Sequence, residues 1–220
     1  MNEPNVKHSE YSAEQFAHNY PEGMENNYWI YARSLFVRHL LKRFCSPKTS
    51  ILEVGCGAGI VLDCLVKAGF NCRGVELGMP RVLPSVEKLV WTGMGFQSLD
   101  APYRTSVQAV LLLDVIEHIR EPADFLREIS AAMPNHESLL ITVPARTELW
   151  SNYDEYYGLY LPMLVFGKLG LKRRVKNSGP KAVWLHRIAA YSYLVESLLL
   201  PRGLVGGSLY AIARKSGVSQ

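Results

Sequence analysis

Residues 51–59 read Ile-Leu-Glu-Val-Gly-Cys-Gly-Ala-Gly, and this stretch decides how the rest of the chain is parsed. Ile51 to Gly55 reads as a short strand buried in a sheet. Gly55, Gly57 and Gly59 alternate through the following turn, and Ala58 to Ala68 then reads as a helix closed by Gly69. Strand, glycine loop and helix open a βαβ unit. The glycines let the backbone turn sharply and let a ligand lie where a Cβ would otherwise stand.

Downstream the same rhythm continues. Asn71 to Glu76 is a second strand, Arg81 to Val90 is expected to form a weak helix interrupted by Pro84, and Gly95 to Ser98 a short third strand. Gln108 to Asp114 is a continuous apolar strand of the type covered on both faces. Pro122 suits the first turn of a helix whose apolar face carries Phe125, Leu126, Ile129, Ala132 and Met133. Ser138 to Val143 is the next strand, stopped by Pro144. Upstream, Tyr28 to Phe44 is helical, with Ile30, Phe36, Val37, Leu40, Leu41 and Phe44 on one stripe and Arg33, Arg38 and Lys42 off it. Beyond Pro144, aromatics crowd Trp150 to Tyr160, an apolar-then-basic stretch runs to Lys181, Val183 to Leu200 reads as a helix, and Ser208 to Arg214 alternates like a final strand.

The fold class is therefore α/β: a doubly wound, mostly parallel sheet with an N-terminal helical arm and an atypical C-terminal region. The expected division is an arm and helix over 1–45, an α/β core over 46–145, and a lid, basic segment and last strand of the same domain over 146–220.

Composition sets the outer bounds. With 220 residues, 48% hydrophobic and 20% charged, the chain can bury one real core. Cys45, Cys56, Cys64 and Cys72 form no CxxC pair, which points to reduced thiols rather than a disulfide frame or a metal site. The polar N-terminus has no secretory signature, and the apolar run Leu159 to Gly167 is too short to span a bilayer, so a cytoplasmic location is expected. The net charge of +4 is uneven: Tyr156 to Val195 holds seven Lys/Arg and no acid. Such asymmetry suits an anionic partner at one end, or simply a solvated face.

Glu76 ends the second strand 21 residues after Gly55, where a carboxylate can accept hydrogen bonds from both hydroxyls of a ribose. Two cofactor classes use this geometry. Dinucleotide binders want a third small residue where Ile60 stands, and they set a pyrophosphate at the helix N-terminus, where Glu53 is an unwelcome neighbour. S-adenosylmethionine has no phosphate, carries an ammonium and a sulfonium, and tolerates carboxylates. The spacing favours the methyl donor, with a dinucleotide-binding oxidoreductase and a non-catalytic scaffold of the same fold as the alternatives.

Four motifs in order now carry a family resemblance. They are the glycine loop, the second-strand acid in Gly-Val-Glu76-Leu-Gly, Leu-Asp100-Ala-Pro, and the block running from Leu111 through Asp114-Val-Ile-Glu-His118. Residues 51–144 resemble the class I S-adenosylmethionine-dependent methyltransferases, in particular the small-molecule branch of the ubiquinone-biosynthesis type. The resemblance implies an enzyme that moves a methyl group by in-line displacement to a hydroxyl oxygen of a small or lipid-linked acceptor, and with no metal-ligand cluster legible in the sequence the reaction is expected to be metal-independent. It implies that Glu53, Gly55, Cys56, Gly57 and Gly59 surround the methionine and ribose part of the donor. Glu76 would hold the ribose hydroxyls, Leu77 would cover the adenine, and Asp100 with Ala101 would meet the adenine amino group. Asp114, Val115 and Ile116 would line the pocket. Tyr28, Trp29 and Arg33 correspond to a helix that supplies an arginine to the donor carboxylate.

His118 follows the fourth strand, where an imidazole could act as a general base or could merely cap the next helix. Trp150, Tyr153, Asp154 and Tyr157 would form an acceptor pocket wall, or fold their own loop shut. The family pattern ends in two antiparallel strands completing a seven-stranded sheet. Only Ser208 to Arg214 is legible as one, so this region is remodelled or a segment after Tyr157 is missing. Residues 159–176 could lie on an anionic membrane surface and bring a lipid-linked substrate to the site. Nucleic acid is disfavoured, because the aromatics precede the basic run instead of interleaving with it.

Overall fold

A computed structural model of the chain describes residues 21–144, 182–199 and 208–215. The first helix has the bounds read from the sequence (α1, Tyr28–Phe44). Asn27 starts it by accepting a hydrogen bond from the Trp29 N–H at 2.9 Å. There follow β1 (Ser50–Val54), α2 (Ile60–Lys67), β2 (Asn71–Glu76), β3 (Val90–Thr92), α3 (Ala101–Ser106) and β4 (Ala109–Leu113). Then come α4 (Pro122–Ala132), β5 (Ser138–Pro144), α5 (Val183–Leu199) and β6 (Ser208–Arg214).

The six strands form one sheet in the order β3-β2-β1-β4-β5-β6. All neighbours pair parallel except β6, which runs antiparallel to β5. This is the doubly wound, mostly parallel sheet expected from the alternation. Among the described residues β6 is the one antiparallel strand.

Alternation along each strand feeds two apolar layers. Ile51, Leu111 and Leu140 face Val37 and Leu41 of α1 and Val61, Leu62 and Leu65 of α2. Leu52, Val54, Val110 and Leu112 face Ile129 of α4 and Met133 directly after it. The same period puts Glu53 on the α1–α2 face, two residues past Ile51.

Two expectations fail between β2 and α3. Residues 81–90 form no α-helix; a single 3₁₀ turn at Glu87–Leu89 leads into β3. Pro84 denies the segment an internal helical bond, and Val82, Leu83 and Val86 pack on the core from irregular chain instead. Gly95 to Ser98 is not a strand either: Phe96–Ser98 is a 3₁₀ turn, and the edge strand is Val90–Thr92. Gly93, at φ 72°, turns the chain out of the sheet before Gly95 is reached. Phe96 is then buried edge-on against Phe125, with ring centroids 5.7 Å apart, so its apolar signal marks the core and not sheet pairing.

α5 packs along α1. Trp29 meets Tyr193 edge-on at 5.1 Å, and the Arg187 guanidinium lies 3.4 Å above the Tyr31 ring. Its outer side leaves Trp184, Ile188, Val195 and Leu198 exposed. Among the described residues no helix is long and apolar enough to cross a membrane.

Candidate active site

The strand order reverses between β1 and β4, which sets their carboxyl ends side by side at a topological switch point, the place where open α/β sheets bind ligands. The glycine loop crosses this point with Gly55, Gly57 and Gly59 all left-handed, at φ 74°, 52° and 76°. Any other residue there would be strained, and space is also short. A Cβ on Gly55 would stand 2.6 Å from Val115 Cγ2, and one on Gly59 would stand 2.9 Å from Val86 Cγ2. Val115 therefore closes directly on the loop. Cys56 fills the gap above Gly74, where a Cβ would come within 2.5 Å of its Sγ. Burial pushes its thiol well up, so it packs as a neutral filler.

Glu76 ties β2 to this loop. Its Oε2 accepts from the Gly57 N–H at 2.9 Å and its Oε1 from the Gly78 N–H at 2.8 Å. Each oxygen keeps a further lone pair for an incoming donor. Glu53 is buried as well, at 3% exposure, but its Oε2 has no hydrogen-bond partner. Burial pushes its carboxyl up to about 8, against the pull of Arg33 and with the added repulsion of Glu76.

Arg33 reaches the tip of β4. Its guanidinium pairs with Asp114 Oδ2 at 2.9 Å and donates to Thr142 Oγ1 at 3.2 Å. Thr142 in turn donates to Asp114 Oδ1 at 2.8 Å and accepts from the Asp114 N–H at 3.1 Å. Asp114 has φ 55°, an uncommon backbone for a residue with a side chain, and this network holds it there.

The other sequence-marked residues divide. Ile116 and His118 bound a 3₁₀ turn directly after β4, alongside Val115 and Asp114. Leu77 stands past β2, 42% exposed. Asp100 is exposed and caps α3, accepting from the Tyr103 N–H at 3.2 Å; Ala101 begins that helix. The turn role for Asp100 is thus present, with its second oxygen outside that bond. Tyr28 and Trp29 make their described contacts with α5: the Tyr28 N–H donates to His186 Nδ1 at 3.0 Å, and Trp29 packs on Tyr193. Trp150, Tyr153, Asp154, Tyr157 and the 159–176 stretch lie outside the described residues.

Three residues escaped the sequence reading. Thr142 holds Asp114 in place, and its signal was a polar residue on the covered face of an otherwise apolar strand. Glu117 sat inside the Asp114-to-His118 block but was passed over for the histidine; its Oε2 is buried without a partner, and burial pushes its carboxyl up. Tyr210 of β6 packs edge-on against Phe36 at 4.7 Å, with its hydroxyl buried and unpartnered. Nothing local marks it, because only the antiparallel return of β6 brings it here. Among the described residues no three His, Cys, Asp or Glu side chains gather as metal ligands.

A group bearing a cation and vicinal hydroxyls fits these residues. Glu53 offers a buried oxygen without a partner, and Glu76 offers spare lone pairs beside the loop.

The mitochondrial ubiquinone biosynthesis O-methyltransferase of Arabidopsis thaliana is 29% identical over 130 residues, covering 51% of this chain and 39% of that protein. The ubiquinone biosynthesis O-methyltransferase of Xanthomonas campestris pv. campestris (strain B100) is 24% identical over 116 residues, covering 50% of this chain and 48% of that protein. The alignment thus spans less than half the length of either relative. Among solved structures, the plantazolicin methyltransferase BpumL in complex with SAH is 14% identical, covers 86% of this chain and 84% of its own, and has a TM-score of 0.45. Likeness at that level identifies no activity, and the fold stands on the strand pairing itself. A family model described as "Methyltransferase domain" matches residues 28–181, well over half of the chain. The chain belongs to that methyltransferase family.

Proposed function

We propose that this enzyme moves a methyl group from S-adenosylmethionine to a hydroxyl oxygen of a small or lipid-linked acceptor. One observation carries the reading. The left-handed glycine loop is bonded to Glu76 on one side, while Glu53 on the other keeps a buried oxygen without a partner. Those acceptor oxygens suit ribose hydroxyls and an ammonium.

In this reading Glu53, Cys56 and the three loop glycines hold the amino-acid side of the donor. Glu76 holds the ribose, and Leu77, Asp100 and Ala101 hold the adenine. Asp114, Val115 and Ile116 form the wall at the tip of β4, and Arg33 faces the donor carboxylate, with Tyr28 and Trp29 fixing the start of its helix on α5. When bound, the donor supplies a methyl group already activated on a sulfonium, so the protein needs little covalent chemistry of its own. Its residues hold the acceptor in line, exclude water and take up one proton from the hydroxyl. His118 is the candidate for that proton, with Glu117 beside it on the same turn. Trp150, Tyr153, Asp154 and Tyr157 are assigned to the acceptor.

The oxygen acceptor and its lipid linkage draw support from the names of the two relatives. The exposed apolar face of α5, directly after a run of six cations without an acid, supports contact of this end with an anionic membrane surface through residues 159–176.

The test is methyl transfer from radiolabelled donor to a panel of phenols and catechols, with and without a polyprenyl chain, against amine and thiol analogues. Label recovered as a methyl ether, and faster transfer to the chain-bearing acceptor on anionic vesicles, is the expected result. Label found only on nitrogen, sulfur or carbon would overturn the oxygen acceptor.

A further inference from the structure

Two carboxylates flank the glycine loop, and they are treated differently by the backbone. Both oxygens of Glu76 accept from backbone N–H groups. Oε2 of Glu53 accepts from nothing. The side chain is 3% exposed, so water does not take the place of the missing donors.

The groups facing Glu53 do not rescue its charge. From α1, Arg33 lies close enough to pull on it, but its guanidinium bonds Asp114 and Thr142 at the tips of β4 and β5. From β2, Glu76 is a second negative charge. Cys56 in the loop and Cys72 on β2 also feel the Glu53 charge, and burial keeps both thiols protonated. An ionised Glu53 would be a buried anion facing another anion, with no hydrogen bond at one oxygen. Such a group holds its proton instead.

The donor changes this balance, and here the inference rests on the function proposed above. Its amino group arrives as an ammonium. A carboxylic acid keeps an oxygen that can accept from an ammonium, but only the carboxylate adds the attraction of opposite charges, so the arriving cation favours the ionised form of Glu53. We propose that Glu53 is neutral in the donor-free protein and gives its proton to solvent as the donor's ammonium binds, so that proton exchange selects for a cationic amino group. The O–H bond of Glu53 breaks, its electron pair stays on the carboxylate, and the proton goes to the buffer. The ligand enters and stays protonated, so one proton leaves per site. Glu53 then acts as a specificity-determining residue: a ligand with the same nucleoside but no ammonium gains nothing from it.

The experiment uses the full chain and two probes, S-adenosylhomocysteine, which carries the ammonium, and 5′-methylthioadenosine, which does not. Carbon-13 NMR of the glutamate carboxyls, assigned with Glu53→Gln, reports the state of Glu53 directly. Calorimetry in buffers of different ionisation enthalpy counts the protons. Near neutral pH the free protein should show Glu53 protonated and the S-adenosylhomocysteine complex should show it ionised. About one proton should be released, and affinity should tighten about tenfold per pH unit while the free carboxyl stays neutral. The nucleoside without the ammonium should release none, and Glu53→Gln should abolish release while still binding. An ionised Glu53 in the free protein, or equal proton release from Glu53→Gln, would overturn the proposal. If S-adenosylhomocysteine fails to bind a folded chain, the donor reading falls and takes this inference with it; binding without proton exchange removes this inference alone.

Discussion

The carboxyl ends of β1 and β2 lie next to each other, and each presents a buried glutamate to the same loop. At β2 the acid is satisfied: Glu76 receives two backbone N–H groups and in return fixes the positions of Gly57 and Gly78. At β1 the acid is left open, with an oxygen of Glu53 in want of a donor. A buried carboxylate with its hydrogen bonds made is part of the frame, and removing it orphans the groups it served. A buried carboxyl without them is a cost held in the empty site and relieved by a ligand. Sequence position alone gives no hint of this division, since both acids lie in the last two residues of a strand.

Breaking the shared loop should have the largest effect. Gly55→Val combines a left-handed backbone with a 2.6 Å clash against Val115. It should cost about 3 kcal/mol or more in chemical denaturation, and donor binding should be lost. Glu76→Ala comes next. Two backbone N–H groups lose their partner, at roughly 1–3 kcal/mol each where water cannot enter, and donor affinity should fall by about two orders of magnitude alongside the loss of stability. Arg33→Ala removes a partly exposed ion pair with Asp114, worth about 1 kcal/mol in the same denaturation experiment. It also removes the one pull that lowers Glu53, so the Glu53 carboxyl should titrate at higher pH still, visible by NMR.

Glu53→Gln should have the smallest effect on stability, within about 1 kcal/mol near pH 5, because a neutral amide replaces a neutral acid. The contrast grows with pH. The native carboxyl, pushed up to about 8, holds a proton that the unfolded chain releases near its ordinary value of about 4.3. The native state binds more protons across that window, so wild-type stability should fall as pH rises through it, and Glu53→Gln should flatten the slope. A steeper loss for Glu53→Gln than for Glu76→Ala would reverse the comparison.

The legible parts of the fold were those written in local pattern. The bounds of α1, β2 and β6 follow from apolar periodicity, and Asn27 caps the start of α1. The segment between Glu76 and Asp100 was misread because its apolar residues are buried without regular structure, and hydrophobicity does not say which. In the site, the glycine loop and the two acids could be read from spacing. The partners of Thr142 and Tyr210 could not, because strand pairing across the sheet brings these residues to Arg33 and Phe36, and no local spacing encodes that. The different roles of Glu53 and Glu76 were also hidden, since hydrogen bonding to the backbone depends on how Gly57 and Gly78 orient their N–H groups.

The most direct test of the donor site is equilibrium dialysis of the folded chain against radiolabelled S-adenosylmethionine, with S-adenosylhomocysteine and NAD as competitors. The account predicts one donor molecule bound per chain, displaced by S-adenosylhomocysteine and indifferent to NAD. A folded chain that retained no label, or that released it to NAD, would contradict it.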